Sequence, residues 1–229
     1  MHTHTLQDES ESFQVSVREA KEFSPVVLFA VGAGGNPERH VTLLDTLKET
    51  SCTVVAPHFP RLRSLEPTEA ELMLRARRIC LTLDALVQPH ATAASVGHSI
   101  GATLLLALAG GQMWSRLGER IDIKADGRLT RLGLIAPPTG FFQVPGALNA
   151  VHVPIQVWVG SADNITPPAQ SEWLAQTMRG WQTVNVRIAD GAGHFSFMDQ
   201  PPPHTVEPLQ NKQAFLRDFS SEICNFVHG

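Results

Sequence analysis

The sequence predicts one α/β domain built on a mostly parallel sheet. Three observations carry that prediction. Short apolar runs alternate with helical stripes along nearly the whole chain, the order expected when strands run parallel and helices cross back over them. Several runs, residues 26–31 and 52–57 among them, are apolar almost without interruption, as strands covered on both faces are. Glycine-bearing loops then punctuate the pattern, at 32–36, 97–101, 160–163 and 191–194.

The totals agree. At 229 residues, 43% hydrophobic and 17% charged, the chain can fill one substantial core and has few charges for long solvated helices. Residues 1–11 are polar and are expected to form a flexible tail, leaving 12–229 as the single domain. His2 and His4 in that tail form a weak metal pair, and no metal site is expected from them. Net charge is −4 with lysines and arginines scattered, so neither nucleic acid nor a membrane surface is an expected partner. No run of about eighteen apolar residues is present to cross a membrane, and the first residues hold no apolar core of a secretory signal. Cys52, Cys80 and Cys224 are too widely spaced for a disulfide framework or a zinc site, which suits reduced thiols and a cytoplasmic location. The sequence carries no mark of oligomeric state.

In order, residues 12–18 alternate Phe13, Val15 and Val17, the pattern of a half-buried edge strand. Residues 26–31 read as a central strand, followed by Gly32-Ala33-Gly34-Gly35 and a helical stripe through Val41, Leu43, Leu44 and Leu47. That glycine loop lacks the G-x-G-x-x-G spacing of a dinucleotide site. Residues 52–57 form the next strand, and His58 and Arg61 fall in a loop that reads as solvated or as reaching a site at the strand ends. Thr68 with Glu71 three residues on predicts a capped helix start, and the leucine-rich stripe to Leu86 predicts a long helix stopping near Gln88-Pro89. Residues 91–96 are a strand, and 102–109 a helix apolar all round, hence buried. The polar segment 112–130 has a turn at Asp126-Gly127 and no assigned role. Strands at 132–136 and 153–159 are separated only by residues 137–152, too few for a cap domain, so the lid is minimal. Phe141 and Phe142 in that loop are candidate substrate-pocket walls, with Phe195 beyond it. A helix from Thr166-Pro167-Pro168 to Met178, a strand at 183–189 and a closing helix at 209–227 complete the chain.

Gly97-His98-Ser99-Ile100-Gly101 is where chemistry enters. Between a strand and a helix this spacing gives a sharp turn with the Ser99 hydroxyl at its tip. A Cβ at 97 or 101 would collide with neighbouring backbone. In open parallel sheets, ligands bind beyond the carboxyl ends of strands, and all four glycine loops lie on that edge. A serine hydroxyl needs an adjacent base, a histidine serves near neutral pH, and the histidine needs an acid on its other nitrogen. Ser99, His194 and Asp163 fill those roles, with Asp190 as a rival acid that lacks the strand-end position. The amides of Ala33 and Ile100 would hold an oxyanion, each donor contributing roughly 3–4 kcal/mol. His98 is expected to point away from the site and support packing.

Over about residues 25–228 the chain resembles the α/β-hydrolase superfamily, in particular its small, lid-poor members of dienelactone-hydrolase type. Gly97-His98-Ser99-Ile100-Gly101 resembles the nucleophile turn, Gly160-Ser161-Ala162-Asp163 the acid turn, Gly193-His194 the histidine loop, and Gly32-Ala33-Gly34-Gly35 the oxyanion loop. Nucleophile, acid and base also follow in the family order. The resemblance implies a three-layer α/β/α sandwich and no cofactor. Two positions depart from it. Val31 stands where the family's oxyanion loop begins with histidine, and the nucleophile is Ser99 where dienelactone hydrolases use cysteine.

The expected function is that of a serine hydrolase cleaving a small carboxylic ester or thioester through an acyl-enzyme. The alternatives are a non-catalytic binding module on the same fold, or acyl transfer or perhydrolysis by the same triad.

Overall fold

The computed structural model describes residues 1–229 apart from 10, 22, 23, 65, 89 and 90. Among the described residues eight strands form one sheet: β1 (His2–Asp8), β2 (Glu11–Arg18), β3 (Val26–Ala30), β4 (Thr53–Pro57), β5 (Ala93–His98), β8 (Leu129–Ile135), β9 (Ile155–Gly160) and β10 (Val184–Ala189). Their spatial order is β1-β2-β4-β3-β5-β8-β9-β10. β1 and β2 run antiparallel to their neighbours, and every pairing from β4 to β10 is parallel. The sheet is layered with α1 (Val41–Glu49), α2 (Glu69–Leu86), α3 (Ile100–Leu108), α4 (Pro168–Met178) and α5 (Lys212–His228). α1 packs on α5, and α2 packs on α3. Residues 112–130 include a separate two-stranded ribbon, β6 (Met113–Trp114) with β7 (Arg120–Ile121).

Burial follows position in the sheet. Val27, Leu28, Phe29 and Ala30 of central β3 are all buried, whereas in β10 at the edge only Ala189 is. Every residue of α3 is buried, as its apolar sequence requires. α2 opens on the predicted capping box: the Thr68 hydroxyl accepts from the Glu71 amide, and Glu71 accepts back from the Thr68 amide at 2.8 Å. It ends at Leu86, and Pro89 lies outside the described residues.

Two expectations are corrected. Residues 2–8 are not a frayed tail: they pair along their length with β2, so β2 is an inner strand and β1 the edge. Asp8 anchors this strand, buried against the guanidinium groups of Arg77 and Arg78 on α2. The inward stripe of α2 also differs. It runs Leu72, Arg75, Ala76, Arg78, Ile79, Thr82 and Leu83, with Leu74, Leu81 and Leu86 only half-buried beside it.

Gly101 shows how tightly the 97–101 turn is seated. A Cβ there would lie 2.1 Å from the Ala30 carbonyl oxygen, and one on Gly97 would lie 2.8 Å from the Ala102 nitrogen. These are backbone contacts that a side-chain shift does not relieve. Gly101→Ala is therefore expected to destabilise the fold by about 3 kcal/mol or more, read as a lower urea midpoint. A wild-type midpoint would show that β3 and α3 have room that this packing denies them.

Candidate active site

Ser99 sits between the end of β5 and the start of α3 with φ 55° and ψ −128°. For a residue with a Cβ that left-handed conformation is strained, and it is held by the packing of glycines 97 and 101. The strain puts the hydroxyl outside both elements. Ser99 Oγ lies 3.1 Å from His194 Nε2. On the other side of the ring, His194 Nδ1 is 2.8 Å from Asp163 Oδ2. Ser99, Asp163 and His194 are thus brought together from loops after β5, β9 and β10, with Asp163 and His194 buried.

Asp163 is fully occupied as an acceptor. Its Oδ1 accepts from the amides of Ile165 and Thr166, at 2.9 and 2.8 Å. Its Oδ2 accepts from the Thr166 hydroxyl at 2.8 Å as well as facing His194. Burial works against its charge, but His194 and the Thr166 donors outweigh burial and hold the carboxyl below its usual range. Asp163 does not cap α4, which begins at Pro168; it closes the short turn before it. Thr166 Oγ1 also lies 3.0 Å from His194 Nδ1, a contact that the sequence, read there as a helix start, did not announce. The rival acid Asp190 does stand at a strand end, directly after β10, but it is engaged elsewhere, accepting from the Ser161 hydroxyl at 3.3 Å.

Gly32 abuts the serine: a Cβ on it would lie 3.2 Å from the Ser99 Cβ. That places the glycine loop after β3 beside the hydroxyl. Ile100 is the first residue of α3, where amides lack intrahelical partners. Among the described residues, no group accepts a hydrogen bond from the Ala33 or Ile100 amide. Both are therefore available to an anion.

The aromatic candidates separate. Phe195 lines a cleft of about 280 Å³ beside His194, together with Asn164, Ile165, Val206 and Pro208. Phe142 is buried in the core near Gly111, and Phe141 packs half-buried against the core; neither lines that cleft. His58 is hydrogen-bonded to Ser16, with Nε2 2.8 Å from its hydroxyl, and Arg61 is exposed. His2 Nε2 and His4 Nε2 stand 2.8 Å apart, but no cluster of three or more metal-ligating side chains occurs among the described residues. Burial pushes the thiols of Cys52 and Cys80 up to about 11, so neither rivals Ser99 as a nucleophile.

His98 does more than pack. Its Nε2 is 3.0 Å from the His194 carbonyl oxygen, which can only accept, so His98 donates and ties the serine turn to the histidine loop. Its ring lies 5.0 Å from that of His194 and 5.1 Å from that of His40, which meets Phe29 edge-on at 4.9 Å. His40 is buried with no partner for either ring nitrogen among the described residues. Burial, reinforced by the Arg39 charge, pushes His40 down to about 3, and burial holds His98 well below its usual value. Such groups are neutral in the fold, while the unfolded chain takes up protons below about pH 6.5. Stability is then complete above that pH and is lost as pH falls toward the folded value. Between pH 7.5 and 5, His40 alone should cost about 2 kcal/mol. A wild-type urea midpoint that drops over this range, and drops less in His40→Leu, is the expected result; equal drops would contradict it.

No family model and no curated protein matches the chain in sequence. Solved structures match it over nearly its whole length. A putative α/β-hydrolase from Agrobacterium tumefaciens superposes with a TM-score of 0.69 at 14% identity, covering 99% of this chain and 95% of its own. A dienelactone hydrolase from Anabaena variabilis gives 0.68 at 16% identity, over 99% of this chain and 97% of its own. A serine hydrolase without a lid from Xanthomonas campestris gives 0.68 at 18% identity, over 99% and 93%. The chain has the α/β-hydrolase fold.

Within this α/β-hydrolase fold the segment between β8 and β9 carries one 3-10 turn, Gly140–Phe142, and no cap domain. Ser99 is half-buried while Asp163 and His194 are covered. Among the described residues no helix is long and apolar enough to cross a membrane.

Proposed function

We propose that this chain is a serine hydrolase acting on a small carboxylic ester or thioester. The observation that carries the reading is the continuous chain of contacts from Ser99 Oγ through His194 to Asp163, 3.1 and 2.8 Å, on a strained serine turn. His194 Nε2 takes the Ser99 proton as Oγ attacks the acyl carbon. The resulting oxyanion rests on the Ala33 and Ile100 amides. His194 then protonates the departing alcohol or thiol, and in the second half-reaction activates water to release the acid. Asp163 keeps the histidine in the tautomer that leaves Nε2 free to accept.

The cleft lined by Ile165, Phe195 and Val206 flanks His194, which suits it to the leaving group that His194 protonates. Its small volume and the absence of a cap between β8 and β9 support small, soluble substrates. The three unpaired cysteines fit a reducing cytoplasm. The similarity of the fold to named hydrolases supports the general reaction class and leaves the acyl group to experiment.

A fluorophosphonate probe followed by a p-nitrophenyl ester series graded in acyl length tests the proposal. Labelling of the wild-type chain and turnover that declines with acyl length are expected. A folded wild-type chain inert to both reagents would leave the fold as a binding module.

A further inference from the structure

Arg75 has no place in the mechanism above, and its surroundings are unusual. It projects inward from α2 and is 1% exposed. Among the described residues it has no carboxylate partner; its neighbours Arg77 and Arg78 both pair with Asp8. An unpaired buried cation is costly to keep. Every hydrogen bond Arg75 makes among the described residues goes instead to a backbone carbonyl. Nη1 donates to Gly32 at 2.9 Å, with the Val31 oxygen at 3.5 Å. Nη2 donates to Ala33 at 3.2 Å and to Pro60 at 2.7 Å. The guanidinium carbon stands 4.9 Å from the centre of the Phe59 ring. Burial brings the group down to about 10, so it remains charged at neutral pH.

Three of those acceptors belong to the loop beside Ser99. In a trans peptide the C=O and the following N–H point in opposite directions. The Gly32 carbonyl and the Ala33 amide are two ends of one such peptide. With the carbonyl turned into α2 and held by Nη1, the Ala33 N–H is turned away from α2. The next carbonyl, Ala33, is fixed twice, by Nη2 and by the Leu62 amide at 2.9 Å. The loop therefore has little freedom to rotate its amides.

We infer that Arg75 is the positioning residue of the oxyanion hole, gripping the Gly32 and Ala33 carbonyls so that the Ala33 N–H meets the acyl oxygen as it becomes negative. This rests on the hydrolase reading. The grip also polarises: a guanidinium on the carbonyl end of a peptide makes the N–H at its other end a stronger donor. Lysine does not reproduce it, because a compact ammonium lacks the planar fork that reaches carbonyls on two sides.

Arg75→Lys, with active sites counted by exhaustive fluorophosphonate labelling, tests this. The expected result is a kcat per labelled site lower by on the order of 10²-fold. KM and the midpoint of the pH–rate profile should stay at wild-type values. The inhibition constant of a trifluoromethyl ketone, which forms a tetrahedral oxyanion on serine, should weaken by the same factor. A variant with fewer or less stable sites, each turning over at the wild-type rate, would make Arg75 a packing residue and overturn the inference alone. A wild-type chain that neither labels nor turns over would remove the hydrolase reading and this inference together. Should Arg75→Lys not fold, NMR of the wild-type chain decides. The grip requires resolved Nη resonances for Arg75 that shift when the ketone adduct forms; a single averaged resonance, unmoved by the adduct, overturns it.

Discussion

Ser99→Ala is expected to lower kcat/KM by about 10⁴- to 10⁶-fold and to abolish fluorophosphonate labelling. Stability should barely change. Among the described residues the hydroxyl makes one hydrogen bond, to His194, and alanine keeps the Cβ, so the strained φ of 55° is as costly in the variant as in the parent. Loss of turnover with an unmoved urea midpoint is what separates a nucleophile from a structural residue. Retained labelling would move the nucleophile elsewhere, and the candidates are few. Cys52 and Cys80 are held as thiols by burial, and Ser196 is committed to Glu207 at 2.6 Å and to the Gly193 amide at 2.9 Å. Ser16 also faces a histidine, His58, at 2.8 Å, but among the described residues Ser99 is the one of the two whose histidine is backed by a hydrogen-bonded carboxylate, Asp163.

The parts of the site that could be read from sequence are those whose signal is local. Gly97-x-Ser99-x-Gly101 between an apolar strand and an apolar helix has one good backbone solution. Asp163 and His194 follow strands in sequence, and the parallel sheet brings strand ends to one edge whatever separates them in the chain. Thr68 and Glu71 announced α2 for the same reason: the capping box is written within four residues. What was not legible depends on contacts between distant segments. Residues 2–8 look like a tail because an edge strand with one wet face is polar; Asp8, which secures it, finds Arg77 and Arg78 only in three dimensions. Phe142 reads as a pocket wall until the side-chain-free surface of Gly111 is seen to receive it. Arg75 is the clearest case. On a helical stripe a charged residue signals solvent, and nothing nearby in sequence says that its partners are carbonyls at 32, 33 and 60. His98 and His40 were obscured likewise, since ring-to-ring contact leaves no pattern along the chain.

Asp163→Asn should cost activity on the order of 10⁴-fold while leaving the fold in place. The argument rests on direction, since asparagine has nearly the same shape. Asp163 Oδ1 accepts from two amides, and an asparagine carbonyl can continue to do so. That choice turns the asparagine NH₂ toward His194 Nδ1 and the Thr166 hydroxyl, where Oδ2 stood. An NH₂ donates, so Nδ1 must accept and the ring proton moves to Nε2. A histidine protonated at Nε2 has no lone pair for the Ser99 hydroxyl, and the nucleophile loses its base. The labelling rate should fall with kcat/KM, and the urea midpoint should move little at neutral pH, where the amide and the hydroxyl remain satisfied. Asp190→Asn is the control, because Asp190 bonds to Ser161 and not to His194; it should keep wild-type turnover. If the two variants lost activity equally, the acid would have been assigned to the wrong loop. If Asp163→Asn kept full activity, His194 would need no fixed tautomer, and the chain of contacts from Ser99 to Asp163 would be structural.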